Sequence, residues 1–263
     1  MKKILISLVV ITTVIFANTN IIVSIIPQKV FVEAIGGDKV DVKVMVLAGS
    51  SPHHYEPKPS QMIDISKANL YLSIGVEFEN IWLDKFSNQN KNMKIVSISQ
   101  NIQRGNDPHI WVSPNNIKIL AQNILDTLIE IDPKNSQYFK SNFDKFIAKV
   151  NKVDKKIRDI LKDTPKSSSF MVFHPSWGHF ATNYNLVQLP IEIDGKSPKP
   201  REMIKLIKLA KRERVKAIFT SPEFSTKVAS QMAKELDIEV VKVSPLAIDW
   251  EKNLELIAKS IAK

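Results

Sequence analysis

Short apolar runs alternate with longer amphipathic stretches in the first half of the chain. The runs predict strands at residues 20–26, 40–47, 70–74 and 94–96. Proline, glycine or polar residues bound them, as is usual for strands, and the stretches between them have helical spacing. This alternation predicts an α/β lobe with a mostly parallel sheet flanked by helices, over residues 18–132.

The second half of the chain repeats the alternation. Its short apolar runs predict strands at residues 170–173, 187–193, 217–220 and 239–243. We therefore expect a second α/β lobe of the same kind over residues 164–263. In such sheets the groups that bind a ligand gather outside the carboxyl ends of the strands.

The most regular pattern of the chain lies between the two lobes. Large apolar residues recur there at alternating spacings of four and three, at Phe139, Phe143, Phe146, Val150, Val153, Ile157, Ile160 and Leu161. This spacing predicts one long amphipathic helix over residues 133–163, which at about 1.5 Å per residue would extend roughly 45 Å. We expect a helical strut that joins the lobes. A coiled coil is the alternative.

Residues 1–17 have the pattern of a cleaved secretory signal peptide. Lys2 and Lys3 precede an apolar run that ends at Phe16, and the small residue Ala17 follows. This run is shorter than the roughly 20 residues that span a bilayer, so a membrane anchor is the weaker interpretation. We expect export to a periplasm-like compartment.

Composition and charge exclude some kinds of metal site and some kinds of partner. The chain has no cysteine, so we expect neither disulfides nor a lipid anchor, and a metal site would have to use imidazole, carboxylate or water. The net charge of +10 could suggest nucleic acid. The lysines, however, are scattered along helical faces without an arginine cluster, so we expect no nucleic-acid partner.

Three of the five histidines share one kind of position. His53, His109 and His174 each lie in a loop between a predicted strand and a helix. Two belong to the first lobe and one to the second, so they would meet in the cleft between the lobes. Three neutral imidazoles there would suit zinc, with manganese or iron as the alternative if carboxylates join them.

Other residues near these histidines are candidates for a supporting role. Glu56 and Asp107 lie within three residues of a histidine, where a carboxylate could accept the second ring N–H of an imidazole. Helix capping is the alternative role for each. We expect Trp111 and Trp177 to form aromatic walls near the histidines or to pack in the cleft.

Four motifs follow one another along the chain: Pro52-His53-His54-Tyr55-Glu56-Pro57, Asp107-Pro108-His109-Ile110-Trp111, Phe173-His174-Pro175-Ser176-Trp177-Gly178 and Ser244-Pro245-Leu246-Ala247. As a set they resemble the motifs of the metal-binding solute-binding proteins of ABC transporters, of the zinc-uptake (ZnuA-like) type in cluster A-I. The resemblance covers nearly the whole chain after residue 17. It implies two α/β lobes joined by a single long helix, with the metal held between them.

The resemblance also implies a ligand set and a function. His53, His109 and His174 take the places of the family's three histidine ligands, and His54 faces the rim. Manganese-binding relatives tend to have a carboxylate in the third place, so His174 favours zinc. The implied function is a periplasmic protein that captures Zn²⁺ with high affinity and delivers it to a membrane ABC permease. We expect no catalysis, and we expect a monomer.

The closing motif departs from the family pattern at the fourth ligand. Ser244 stands where the family usually has an aspartate, and a serine hydroxyl is a poor zinc ligand. The fourth place would then fall to water or to a nearby carboxylate, for which Glu223, Glu192 and Asp249 are the candidates.

Two further departures concern histidines. The stretch between Leu47 and Asp107 lacks the histidine-rich acidic loop that many zinc-uptake members insert. His179 replaces an aromatic residue expected there, and we expect a hydrogen-bonded cleft residue or an extra ligand.

A zinc hydrolase is the rival interpretation, because three histidines and a water also form a catalytic site. Against it, the chain has no His-Glu-x-x-His segment and no obvious serine nucleophile arrangement. A cell-surface adhesin is a third interpretation, which the missing lipoprotein cysteine makes weaker.

Overall fold

The structure is a computed structural model that describes residues 18–193, 195–224 and 226–263. The predicted signal peptide, residues 1–17, lies outside the described residues. Within the part of the chain that is described, the strands form two four-stranded parallel sheets flanked by helices. The predicted α/β class is therefore confirmed.

The first sheet has the order β2-β1-β3-β4. Its strands are β1 (Thr19–Val23), β2 (Val40–Val44), β3 (Leu70–Ser73) and β4 (Lys94–Ser97). Its helices are α1 (Ile26–Gly36), α2 (Pro59–Lys67), α3 (Glu79–Gln89) and α4 (Pro114–Ile131). All three strand pairs are parallel, so the loops after the strands lie along one edge of the sheet.

A long helix, α5 (Ser136–Leu161), follows a 3₁₀ turn over Pro133–Asn135. Its 26 residues extend about 39 Å. The buried stripe is the one that the apolar spacing predicted, at Phe139, Phe146, Val150, Val153, Ile157 and Leu161. The helix contacts both halves of the molecule, which confirms the predicted strut.

The second sheet has the order β6-β5-β7-β8, which is the topology of the first sheet repeated. Its strands are β5 (Ser169–Val172), β6 (Val187–Pro190), β7 (Ala217–Thr220) and β8 (Glu239–Lys242). Its helices are α6 (Gly178–Asn183), α7 (Pro200–Arg212), α8 (Lys227–Leu236) and α9 (Trp250–Ala262).

One hydrophobic core continues from the first sheet through α5 to the second sheet. Trp250, at the start of α9, makes an edge-on contact with Phe31 of α1, with ring centroids 5.9 Å apart, and lies 6.3 Å from the ring of Phe146 on α5. A smaller core lies between the second sheet and helices α7 and α8. The lobes therefore share buried surface well beyond the α5 connection.

Two helices of the first lobe begin at a proline. Pro59 starts α2 and Pro114 starts α4, because the fixed φ of proline suits the first turn of a helix. Ser113 stands at the N-cap of α4, but its hydroxyl donates to Asn183 Oδ1 of α6 at 2.9 Å and does not cap the helix. That hydrogen bond joins the two lobes.

None of the helices within the described residues is both long enough and apolar enough to cross a bilayer.

Candidate metal centre

The structure brings the three predicted histidines together between the lobes. His53 lies in the loop between β2 and α2, His109 in the loop after β4, and His174 directly after β5. Their ring centroids are 4.8 to 5.8 Å apart. One ring nitrogen from each histidine lies within 4.8 Å of the other two. The carboxyl ends of both sheets thus contribute to one cluster.

The spacing of the nitrogens fits a single metal ion. His53 Nε2 and His174 Nε2 are 3.0 Å apart. Two nitrogens bound to a tetrahedral zinc ion at about 2.0–2.1 Å would be roughly 3.3 Å apart. Two nitrogen lone pairs repel each other at this distance unless a proton or a cation lies between them. The arrangement therefore favours a positive charge between the two rings.

Each of the three imidazoles has a carboxylate at its other nitrogen. Glu77 Oε1 lies 3.1 Å from His53 Nδ1, Asp107 Oδ1 lies 2.8 Å from His109 Nδ1, and Glu192 Oε1 lies 2.7 Å from His174 Nδ1. When Nδ1–H donates to a carboxylate, Nε2 carries the lone pair, and the ring becomes more basic. The carboxylates therefore direct all three Nε2 lone pairs toward one point.

Burial and neighbouring charges shift the pKa values of His53 and His174 in opposite directions. The hydrogen bond to Glu77 raises the pKa of His53. Burial, together with the positive charges of His109 and His53, lowers the pKa of His174 to about 3. His174 is consequently neutral at neutral pH, which is the form that binds a metal ion.

The sequence analysis missed Glu77 and named Glu56 as a candidate for this role, with helix capping as the alternative. Glu56 is exposed on the short loop that ends at Pro59, and Glu77 occupies the position at His53 Nδ1. The prediction for Glu56 is therefore wrong. Glu77 follows β3, so its place at the carboxyl edge of the first sheet was the only available signal.

The predicted fourth-ligand candidates occupy different places. The Glu192 carboxylate is held at Nδ1 of His174, on the side of the ring away from the other histidines. Asp249 caps α9 by accepting the N–H of Lys252 at 3.2 Å and does not reach the cluster, so that candidate is wrong. Glu223 lies beside the cluster, and its Oε1 accepts a hydrogen bond from Ser244 Oγ at 2.9 Å.

The two tryptophan candidates, Trp111 and Trp177, have different surroundings. Trp111 is buried, its ring centroid lies 5.4 Å from that of His109, and its indole N–H donates to Pro245 O at 2.7 Å. Trp177 is buried against Phe180 and lines neither cavity at the histidines. Trp177 is therefore a packing residue and not a wall of the site.

The remaining two histidines lie outside the cluster. His179 Nε2 is 3.0 Å from the backbone oxygen of Asp107, and the residue lines an open cleft of about 760 Å³ that leads to the cluster. His54 is exposed, with its ring 6.5 Å from that of His53. Neither residue belongs to the group of three histidines whose ring nitrogens converge.

Two similar parallel α/β lobes, a long helix shared by both and a histidine cluster between them define a metal-binding solute-binding protein of cluster A-I. The chain belongs to the family of the zinc-uptake complex component A, periplasmic, whose family model matches residues 21–263. Members of this family bind a solute and are not enzymes, so the hydrolase interpretation is not supported.

Solved structures and curated relatives agree with this family. A crystal structure of ZnuA is 41% identical, with a TM-score of 0.89 over 94% of this chain and 98% of that chain. A zinc-bound ZnuA deletion mutant is also 41% identical, with a TM-score of 0.87 over 94% and 97%. The zinc-binding protein AdcA of Streptococcus pyogenes serotype M3 is 27% identical over 90% of this chain. This chain spans about half (52%) of the length of AdcA.

Proposed function

We propose that this protein captures one Zn²⁺ between its lobes with His53, His109 and His174, and delivers it to the membrane permease of an ABC importer. The observation that carries the proposal is the convergence of three imidazole nitrogens from both lobes. Each ring is oriented from behind by a carboxylate. The ion is the cargo of the protein and takes part in no reaction.

The ligand chemistry favours zinc over manganese. Imidazole nitrogen suits zinc, whereas manganese prefers carboxylate and water oxygen. Three nitrogens converge here, and the nearby carboxylates Glu77, Asp107 and Glu192 are engaged at Nδ1 atoms. The zinc-bound ZnuA structure supports the same choice.

We further propose that the protein works in the periplasm as a monomer after cleavage of residues 1–17, without a lipid anchor. The periplasmic family supports this location. The open cleft gives an ion a route to the histidines from solvent. Because the hydrophobic core continues across α5, release to the permease would need small shifts of loops and lobes instead of a wide opening.

Competition between the two metals tests the choice of zinc. We expect zinc to bind on the order of 100-fold more tightly than manganese, because three of the ligand atoms are imidazole nitrogens. The measurement is a titration of metal-free protein with each ion against a chelator of known affinity. Equal affinities for the two ions would overturn the proposal that zinc is the cargo.

Glu77 should contribute to affinity without touching the ion. Replacing Glu77 by glutamine keeps its shape but removes the charge that orients His53, so we expect zinc binding to weaken by about 10- to 100-fold. The same chelator competition measures the change. Glu56→Gln is the matched control, because it removes the same charge near His53 from an exposed position. Equal losses in the two variants would show that only the overall charge of the site matters.

A further inference from the structure

A second, much smaller cavity lies beside the three histidines. They line it together with Trp111, Glu223 and Phe224, and its volume is about 10 Å³. That is room for about one water-sized particle. The same three histidines also line the open cleft, so they stand between the two spaces.

Glu223 brings a carboxylate to this small cavity from the loop after β7. Its Oε1 accepts a hydrogen bond from Ser244 Oγ at 2.9 Å. Ser244 Oγ itself accepts the backbone N–H of Leu246 at 3.0 Å. A hydroxyl has one proton to donate, so the serine proton is committed to Glu223, and this oxygen of the carboxylate is fixed in place.

The other oxygen of Glu223 has no such partner. Oε2 is buried, and no donor among the described residues reaches it. Around it, the Trp111 indole N–H is committed to Pro245 O, and the Phe224 ring stacks on the imidazole of His174. A buried carboxylate oxygen without a donor is destabilising, because it has lost its hydrogen bonds to water and gained none in the protein. A cation in the cavity would remove that cost.

We propose that Glu223 Oε2 is the fourth ligand of the ion held by the three histidines, and that Ser244 positions it. This inference rests on the proposed function. Three imidazole nitrogens and one carboxylate oxygen make a closed tetrahedral zinc site. The carboxylate lowers the net charge of the ion with its direct ligands from +2 to +1, and it occupies the position that a metal-bound water would otherwise take.

Among the described residues, no other carboxylate near the cluster both lines the small cavity and has a buried oxygen without a partner. Glu192 is engaged at His174 Nδ1, and Asp249 caps α9. Glu77 also has a buried oxygen without a described partner. Glu77, however, lines the open cleft and not the small cavity, and it acts on the Nδ1 side of His53.

Glu223→Gln tests the ligand directly. The amide keeps the size of the side chain and an oxygen for Ser244 but removes the anion, so we expect the dissociation constant for zinc to rise on the order of 100-fold. Glu235→Gln is the matched control, because it removes one charge from an exposed position on α8 of the same lobe. We expect that control to stay within about twofold of the wild type.

A cobalt-substituted protein gives a second readout that a structural role would not change. With Glu223 bound, the visible Co²⁺ spectrum of the wild type should stay constant from about pH 7 to 9.5. In Glu223→Gln a water would take the fourth position, and its deprotonation should change the spectrum in that range, since a metal ion lowers the pKa of bound water toward 7.

Ser244→Ala tests the positioning role. This variant keeps the Glu223 carboxylate but loses the hydroxyl that donates to it. We therefore expect about 10-fold weaker zinc binding when Ser244→Ala is made alone, and no further loss when it is added to Glu223→Gln. An equal loss in both backgrounds would show that Ser244 does not act through Glu223.

The outcomes distinguish a failure of the fourth-ligand proposal from a failure of the proposed function. If wild-type protein binds zinc tightly and Glu223→Gln binds it equally well, the fourth ligand is overturned and the three-histidine site stands. A wild-type Co²⁺ spectrum that changes with pH as the spectrum of the variant does would also overturn the fourth ligand. If wild-type protein does not bind zinc, the proposed function itself fails.

Discussion

Substitution of His174 by alanine is expected to weaken zinc binding on the order of 1,000-fold, or about 4 kcal/mol, the largest change that we expect from any single side chain of the site. Loss of an outer hydrogen-bond partner typically costs 10- to 100-fold, and His174 is proposed as a ligand itself. It is also the only histidine of the three that the second lobe supplies. Its loss would leave the Glu192 carboxylate, only 8% exposed, without its imidazole partner. Chelator competition measures the effect.

Two other histidines provide controls for this substitution. His54 is exposed beside His53, and His179 lies in the cleft with its Nε2 on a backbone oxygen. We expect alanine at either position to change zinc affinity by about threefold or less, which is small beside the 10-fold or greater losses at partners of the ligands. Wild-type affinity in His174→Ala, or a comparable loss in His179→Ala, would contradict the assignment of the three ligands.

Trp250→Ala is expected to have the largest effect on stability. Its side chain is 5% exposed and packs against Phe31 and Phe146, so one ring holds α1, α5 and α9 together. Truncation of a buried aromatic ring to alanine typically costs about 3–5 kcal/mol of the free energy of unfolding. Urea unfolding of the metal-free protein, followed by far-UV circular dichroism, measures the loss.

Trp250→Phe is the matched variant for that measurement. The indole N–H of Trp250 is buried and has no partner among the described residues. Phenylalanine keeps most of the ring and removes this unpaired donor, so we expect a much smaller loss than for alanine. If Trp250→Ala lost less than about 1 kcal/mol, the ring would not join the lobes, and a core shared across α5 would be contradicted.

The fold was predictable because its signals are local. The spacing from Phe139 to Leu161 forms a buried stripe on a helix, and the short apolar runs have the length and the flanking residues of strands. The shared core was not predictable. The contact between Phe31 and Trp250 joins residues far apart in the chain, and no periodicity within either helix indicates its partner.

The candidate site was predictable in part for the same reason. His53, His109 and His174 each follow a strand, and in each of the two sheets the parallel strands place such loops at one edge. Asp107 and His109 are two residues apart, so their pairing is local. Glu77 escaped the sequence analysis because it reaches His53 from a different loop. Glu56 was chosen for closeness in sequence, which does not determine where a loop side chain points.

The location of the bound ion is the most direct test of the central claim. Crystals of the zinc-loaded protein, measured at the zinc absorption edge, should give an anomalous peak within about 2.0–2.1 Å of the Nε2 atoms of His53, His109 and His174. Occupancy should correspond to one ion per chain. A peak elsewhere in the molecule, or one bonded to only a single histidine of the three, would contradict the account.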